Sequence, residues 1–227
     1  MNNSLFERFG PYLFVVPFST ILFGFYGTIP DFGPLGIIGF AIVGFLWAVL
    51  LGFIASRLMR REEYGEWFAN TPIFLSIIAL GLMSGAGIMY MLMMDAALDV
   101  PSITYAILSA LMQPAVPFYI VINSLMELLI VPFAVFMNWD GNPKRRTFIL
   151  IAVVLYFVIR VWTYLVYAET RLEISEQALT AADVEWFKQT LATDYRVVLE
   201  VISQGFFVLA AFVPFSTFTS DGGGENQ

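Results

Sequence analysis

The sequence predicts an all-α fold, a polytopic bundle of membrane-spanning helices. Three observations carry this reading. Hydrophobic residues fill 59% of the 227 positions and charged ones 13%, with a mean hydropathy of +0.79; an ordinary soluble domain has about 25% charged residues. The apolar residues gather into six runs, each close to the ~20 residues that cross ~30 Å of hydrocarbon as a helix. The runs are apolar all round and do not alternate, which speaks against the strands of a barrel.

The first run, 11–29, follows Glu7-Arg8 and is not followed by a small-x-small cleavage site, so it reads as a retained span rather than a signal peptide. The second, 35–58, carries Gly44, Ala48 and Gly52 at a spacing of four, a face that lets another backbone approach closely. The third, 72–94, holds a G-x-x-x-G at Gly81 and Gly85 and ends in Met91-Leu-Met93-Met94. Those thioethers suit Cu(I) in principle, but with no histidine or cysteine beside them, gap-filling is the plainer use. Asp99-Val-Pro101 then opens a segment to Gln113 that is helical but too short to span. Gln113-Pro114-Ala115-Val116-Pro117 breaks it and starts the fourth run, 115–137, which contains Asn123 and Glu127. The fifth run, 148–167, contains Arg160 and Tyr164. A polar connection follows, in which Thr180-Ala-Ala-Asp183 resembles a capping box for a helix over 184–194. The sixth run, 197–218, starts behind Arg196 and contains Glu200 and Gln204. Residues 1–219 read as a single transmembrane domain and 220–227 as a disordered tail.

Charge placement gives the expected topology. Arg8, Arg57, Arg60, Arg61, Lys144, Arg145 and Arg146 fall on one side, while Arg171, Lys188 and Arg196 fall on the other with Asp31, Asp95 and Asp99. The positive-inside rule then puts both termini in the cytoplasm of a multi-pass protein of the plasma or inner membrane. A net charge of −7 argues against nucleic acid as a partner. With no cysteine and no histidine, haem, zinc and iron–sulfur cofactors lack their usual ligands. No nucleotide loop, nucleophile elbow or zinc motif is present.

The functional clue is charge inside the runs. An ionisable group among lipid tails costs roughly 2.5–3.5 kcal/mol on the insertion scale and marks a functional site by default. At ~1.5 Å per residue, Glu127 lies about 18 Å below the outer end of its run, Asn123 and Arg160 about 12 Å, Gln204 about 10 Å and Glu200 about 5 Å. Helical spacing puts Asn123 with Glu127, Arg160 with Tyr164, and Arg196 with Glu200 and Gln204 on shared faces. The economical arrangement is a polar pocket between the last three spans. In it Arg160 neutralises Glu127 or Glu200, and Asn123 and Gln204 complete the hydrogen bonds. Two carboxylates and one arginine leave a negative charge over, to be protonated, hydrated or met by a cation.

One stretch also resembles a known family. Arg160-Val-Trp162-Thr163-Tyr164 closes a span, a polar connection with Trp186 follows, and Tyr195-Arg196 opens the last span. Upstream, Ser84-Gly85-Ala86-Gly87 precedes 94–98, and Gln113-Pro114 leads into Asn123. This succession, over about 72–218, resembles the anthrone-oxygenase-like four-helix membrane proteins. The resemblance implies a four-helix core with two extra N-terminal helices. It also implies, by analogy with fungal members, oxidation of polyketide anthrones to quinones without an obvious cofactor. By matching position, Arg160, Trp162, Tyr164, Trp186 and Arg196 carry over as pattern residues. Where many members have an Asn/Pro-rich segment, this chain reads Ala168-Glu169-Thr170-Arg171, a departure that weakens the oxygenase expectation.

The expected function is therefore a buried site for a small lipophilic or quinone-like molecule, with Arg160 as polar anchor and Glu127 as counter-charge. Two other classes remain open: a proton, cation or small-solute pathway using Glu127 and Glu200, and an accessory subunit of a membrane assembly, as homo-oligomer or with another membrane protein. The lipid bilayer is the partner common to all three.

Overall fold

The computed structural model describes residues 5–26, 33–60, 64–98, 110, 113–167 and 194–215. The short segment expected before Gln113, the helix expected over 184–194 and the tail 220–227 lie outside them. Every regular element among the described residues is helical. In chain order they are α1 (Leu5–Tyr26), α2 (Gly33–Met59) and α3 (Gly65–Leu98). Next comes α4, in three parts: Ala115–Leu125, a π-helical turn Met126–Ile130, and Val131–Asn138. Then α5 runs over Pro143–Trp162 and closes in a second π turn, Thr163–Tyr167, and α6 spans Arg196–Phe212. The helices α1 to α5 are long and apolar enough to cross a membrane. The last, α6, is shorter at 17 residues, so the chain has the five to six crossing helices of a multi-pass membrane protein.

Several boundaries differ from the sequence reading; α3 is the longest extension, beginning at Gly65 rather than 72 and ending at Leu98 rather than 94. Helix α1 begins at Leu5 rather than residue 11 and runs through Pro11 and Pro17; neighbouring helices make interior prolines tolerable in a bilayer. Helix α5 begins at Pro143 rather than 148. Asn142 caps it by accepting the Lys144 amide at 2.9 Å, with Pro143 at the first position. Helix α6 stops at Phe212 rather than 218.

The central helix is α4, which touches α1, α2, α3 and α5, while α6 packs against α3 and α5. The long α1–α2 contact follows from the small residues of α2. Gly44, Ala48 and Gly52 are buried there, and a Cβ on Gly44 would stand 2.7 Å from the Ser19 carbonyl oxygen of α1. Gly44→Ala is accordingly expected to cost about 1–3 kcal/mol by overpacking. Gly24→Ala, where nothing lies within 4 Å, is expected to be neutral or to stabilise by up to about 1 kcal/mol. Unfolding temperatures in one detergent, read side by side, check the contrast.

At one end of the bundle four helices are tied by Arg145, which the charge count treats as a loop cation. It is 1% exposed. Its Nε donates to Asn138 Oδ1 at 2.7 Å and Nη1 to the Val213 carbonyl at 3.0 Å; Nη2 donates to the Ala69 carbonyl at 3.3 Å and to Asn70 Oδ1 at 2.5 Å. Arg146 beside it donates to the Trp139 carbonyl at 2.8 Å. Val213 and Trp139 are the C-caps of α6 and of α4. Both cations therefore sit where unpaired carbonyls and the negative end of the helix dipole favour them.

Candidate functional site

The second buried arginine lies toward the other end of α5, about 22 Å away by helical rise. Arg160 forms an ion pair with Glu127 through Nε and Oε1, with the glutamate 0% and the arginine 7% exposed. Of the two carboxylates that sequence spacing offers, Glu127 is the one that Arg160 bonds. The other glutamate oxygen, Oε2, accepts from Tyr26 at 3.1 Å and from Tyr164 at 3.4 Å. The Arg160 guanidinium carbon lies 4.7 Å from the centre of the Tyr164 ring, and Phe25 stacks on that ring at 5.1 Å. One helical turn before Arg160, Tyr156 donates to Asn123 Oδ1 at 3.2 Å.

The site thus belongs to α1, α4 and α5, not to the last three spans. Tyr26 of α1 takes the place expected of α6. Gln204 completes no bond of Arg160; it donates instead to the Ile77 carbonyl of α3 at 2.9 Å, in the space beside Gly81. Arg196 donates to Asp194 through Nε at 2.7 Å and through Nη2, and to Thr163 Oγ1 at 3.1 Å, which ties the start of α6 to the end of α5. Glu200 is buried on α6. Asn123 stands within the site but is bonded to Tyr156 rather than to Arg160. Tyr26 and Tyr156 are residues that sequence reasoning misses. Tyr156 is legible, being four residues before Arg160 and so on its face; Tyr26 is not. The methionines of α3 scatter, Met83 and Met94 into the core and Met89 and Met93 outward.

Both π turns fall at the ion pair. Glu127 lies in the first, and the second begins three residues after Arg160. Such turns carry one residue more than an α turn and are frequent at functional sites. The cause of the first is Pro132. Lacking an N–H, it cannot serve the Leu128 carbonyl four residues earlier, and the Val131 amide reaches back five residues to Met126. The indole of Trp47 on α2 donates to the Leu128 carbonyl at 2.7 Å, satisfying a group that lipid cannot.

Both oxygens of Glu127 accept hydrogen bonds, Oε1 from Arg160 and Oε2 from Tyr26 and Tyr164. Arg160 is not saturated: among the described residues, Nη1 and Nη2 make no hydrogen bond to a carboxylate or a carbonyl. A separate apolar recess of about 90 Å³ lies between α3 and α4, lined by Phe68, Pro72, Leu75, Ile130, Phe133 and Met137 among others; none of the polar set borders it. Searches with the sequence against protein-family models and curated proteins, and with the fold against solved structures, find no match.

Proposed function

We propose that the protein binds the oxygenated head of a small lipophilic molecule, quinone-like in size and polarity, at Arg160. The observation that carries this is the state of the guanidinium. Its charge is balanced by Glu127, and among the described residues its two amino groups donate to no carboxylate or carbonyl, with the Tyr164 side chain as their neighbour. A neutralised pair that still presents N–H groups matches a neutral acceptor, such as a ring carbonyl, better than an anion. The rings of Tyr164, Phe25 and Tyr26 around it provide a flat, apolar setting for such a head.

The bonds that Glu127 accepts from two other helices favour a second reading, an ion pair that only fastens α1, α4 and α5 together, as an accessory subunit would need. A conducting pathway has less support. Toward Arg145, the inward side chains of α5 are Ile149, Ala152 and Val153, and those of α4 are Val131, Ala134 and Val135, each at most 2% exposed. The layer between the two arginines is thus lined by apolar side chains of α4 and α5, with no ionisable group among those six. Its polar contribution from α6 is Ser203, which donates to the Ala152 carbonyl at 2.9 Å.

Thermal unfolding with a short-tailed benzoquinone separates ligand site from fastener. A ligand at 100 times its Kd stabilises by about 2.7 kcal/mol. The quinone is expected to raise the unfolding temperature of the wild type and not that of Arg160→Lys, whose ammonium lacks the planar fork. Equal shifts in both proteins, or none in either, refute the site.

A further inference from the structure

We infer that Trp47 of α2 is a positioning residue for this site, holding the π turn that aims Glu127 at Arg160. The second half of α4, Val131–Asn138, is fixed in register by the core: Val131, Ala134 and Val135 are buried, and Asn138 is bonded to Arg145 and to the Ala69 carbonyl. The first half carries Asn123 and runs into Glu127. Between the halves, the π turn adds one residue to the winding. One residue of an α-helix is about 100° of rotation. If the turn relaxed to α winding, the first half would swing by about that angle against the second. Glu127 and Asn123 would then leave Arg160 and Tyr156. What keeps the turn open is local and nameable. Pro132 removes a donor from the Leu128 carbonyl, and Trp47 supplies one from another helix.

The placement of Trp47 fits this role. Gly44, Ala48 and Leu51 on α2 are buried, and Ala48 belongs to the core, while much of the rest of the helix is exposed apolar surface. Trp47 gives α2 a polar contact with α4. The N-terminal pair of helices therefore reaches the site twice, Tyr26 bonding the carboxylate itself and Trp47 setting the register of the helix that carries it. The inference rests on the geometry of the ion pair and holds whether or not a lipophile binds there.

The chain has no cysteine, so a nitroxide can be attached through a single introduced cysteine in an otherwise native background. Val121 and Leu125, upstream of the π turn, are 61% and 53% exposed, and Val154 on α5 is 47% exposed. Oxygen accessibility of the three labels in nanodiscs is compared between the wild type and Trp47→Phe. In parallel, the isotope-edited carboxylate stretch of Glu127 is read, with its band assigned by Glu127→Gln. The expected result is loss of oxygen accessibility at 121 and 125, no change at 154, and a displaced carboxylate band. Should Trp47→Phe fail to fold, benzothienylalanine at position 47 keeps the ring shape and lacks only the N–H, and the same changes are expected. Unchanged labels and an unchanged carboxylate band in a folded protein without the indole donor overturn the inference. A positive label result with no quinone stabilisation would leave this inference standing and remove the ligand reading.

Discussion

Arg145→Ala is expected to destabilise the protein by about 3–5 kcal/mol, the range for breaking a buried charged network. The side chain bonds Asn138, Val213, Ala69 and Asn70, which belong to the end of α4, the end of α6 and the start of α3. Its removal strands the Val213 carbonyl and the Asn70 and Asn138 amide oxygens of three helices at once. Arg145→Lys is expected to recover little. The bonds leave three nitrogens of one planar fork, and an ammonium presents its protons from a single point. The check is the unfolding temperature in mild detergent beside Lys144→Ala, an exposed neighbour in the same turn that is expected to be nearly silent. Similar behaviour of the two alanine variants would show that the network contributes little.

The second large effect belongs to the ion pair. Glu127→Ala leaves a guanidinium in the membrane interior with its counter-charge gone and is expected to cost about 3–5 kcal/mol. Glu127→Gln keeps an acceptor for Tyr26 and Tyr164 and is expected to cost less. The decisive comparison is the double variant Glu127→Leu/Arg160→Met. Replacing both charges with apolar groups of similar volume is often neutral, so the double variant should be far more stable than Glu127→Ala. A double-mutant cycle built with the single variants Glu127→Leu and Arg160→Met is then expected to give a coupling energy of at least about 3 kcal/mol, the upper end for groups in direct contact. Additive effects would mean that the two residues do not act as a pair.

These residues also show how far the sequence carries. The helical class is written in composition and run length, because a bilayer admits little else. The choice of Glu127 over Glu200 is not written. Both lie inside apolar runs, and only the packing of α4 against α5 decides which carboxylate meets Arg160. Tyr26 is invisible for the same reason: it ends α1, and nothing local says that α1 docks beside the pair. Arg145 misleads in a different way. The positive-inside rule counts cations by side and cannot distinguish a solvated one from one that caps α6 and ties it to α3 and α4. Pro132 is the missed signal that was legible. A proline in the middle of an apolar run removes a carbonyl's partner, and a group must be found for it; the run of α2 contains a tryptophan able to donate. The site also draws on α1, one of the two helices outside the four-helix unit that the resemblance implies.

The most direct test of the central claim is native mass spectrometry of the protein released from its own membranes, wild type beside Arg160→Lys, both eluting as folded protein. The account predicts a co-purifying lipophile with a carbonyl or phenol oxygen on the wild type and none on the variant. A wild-type protein free of any such molecule, or the same molecule on both, would contradict it.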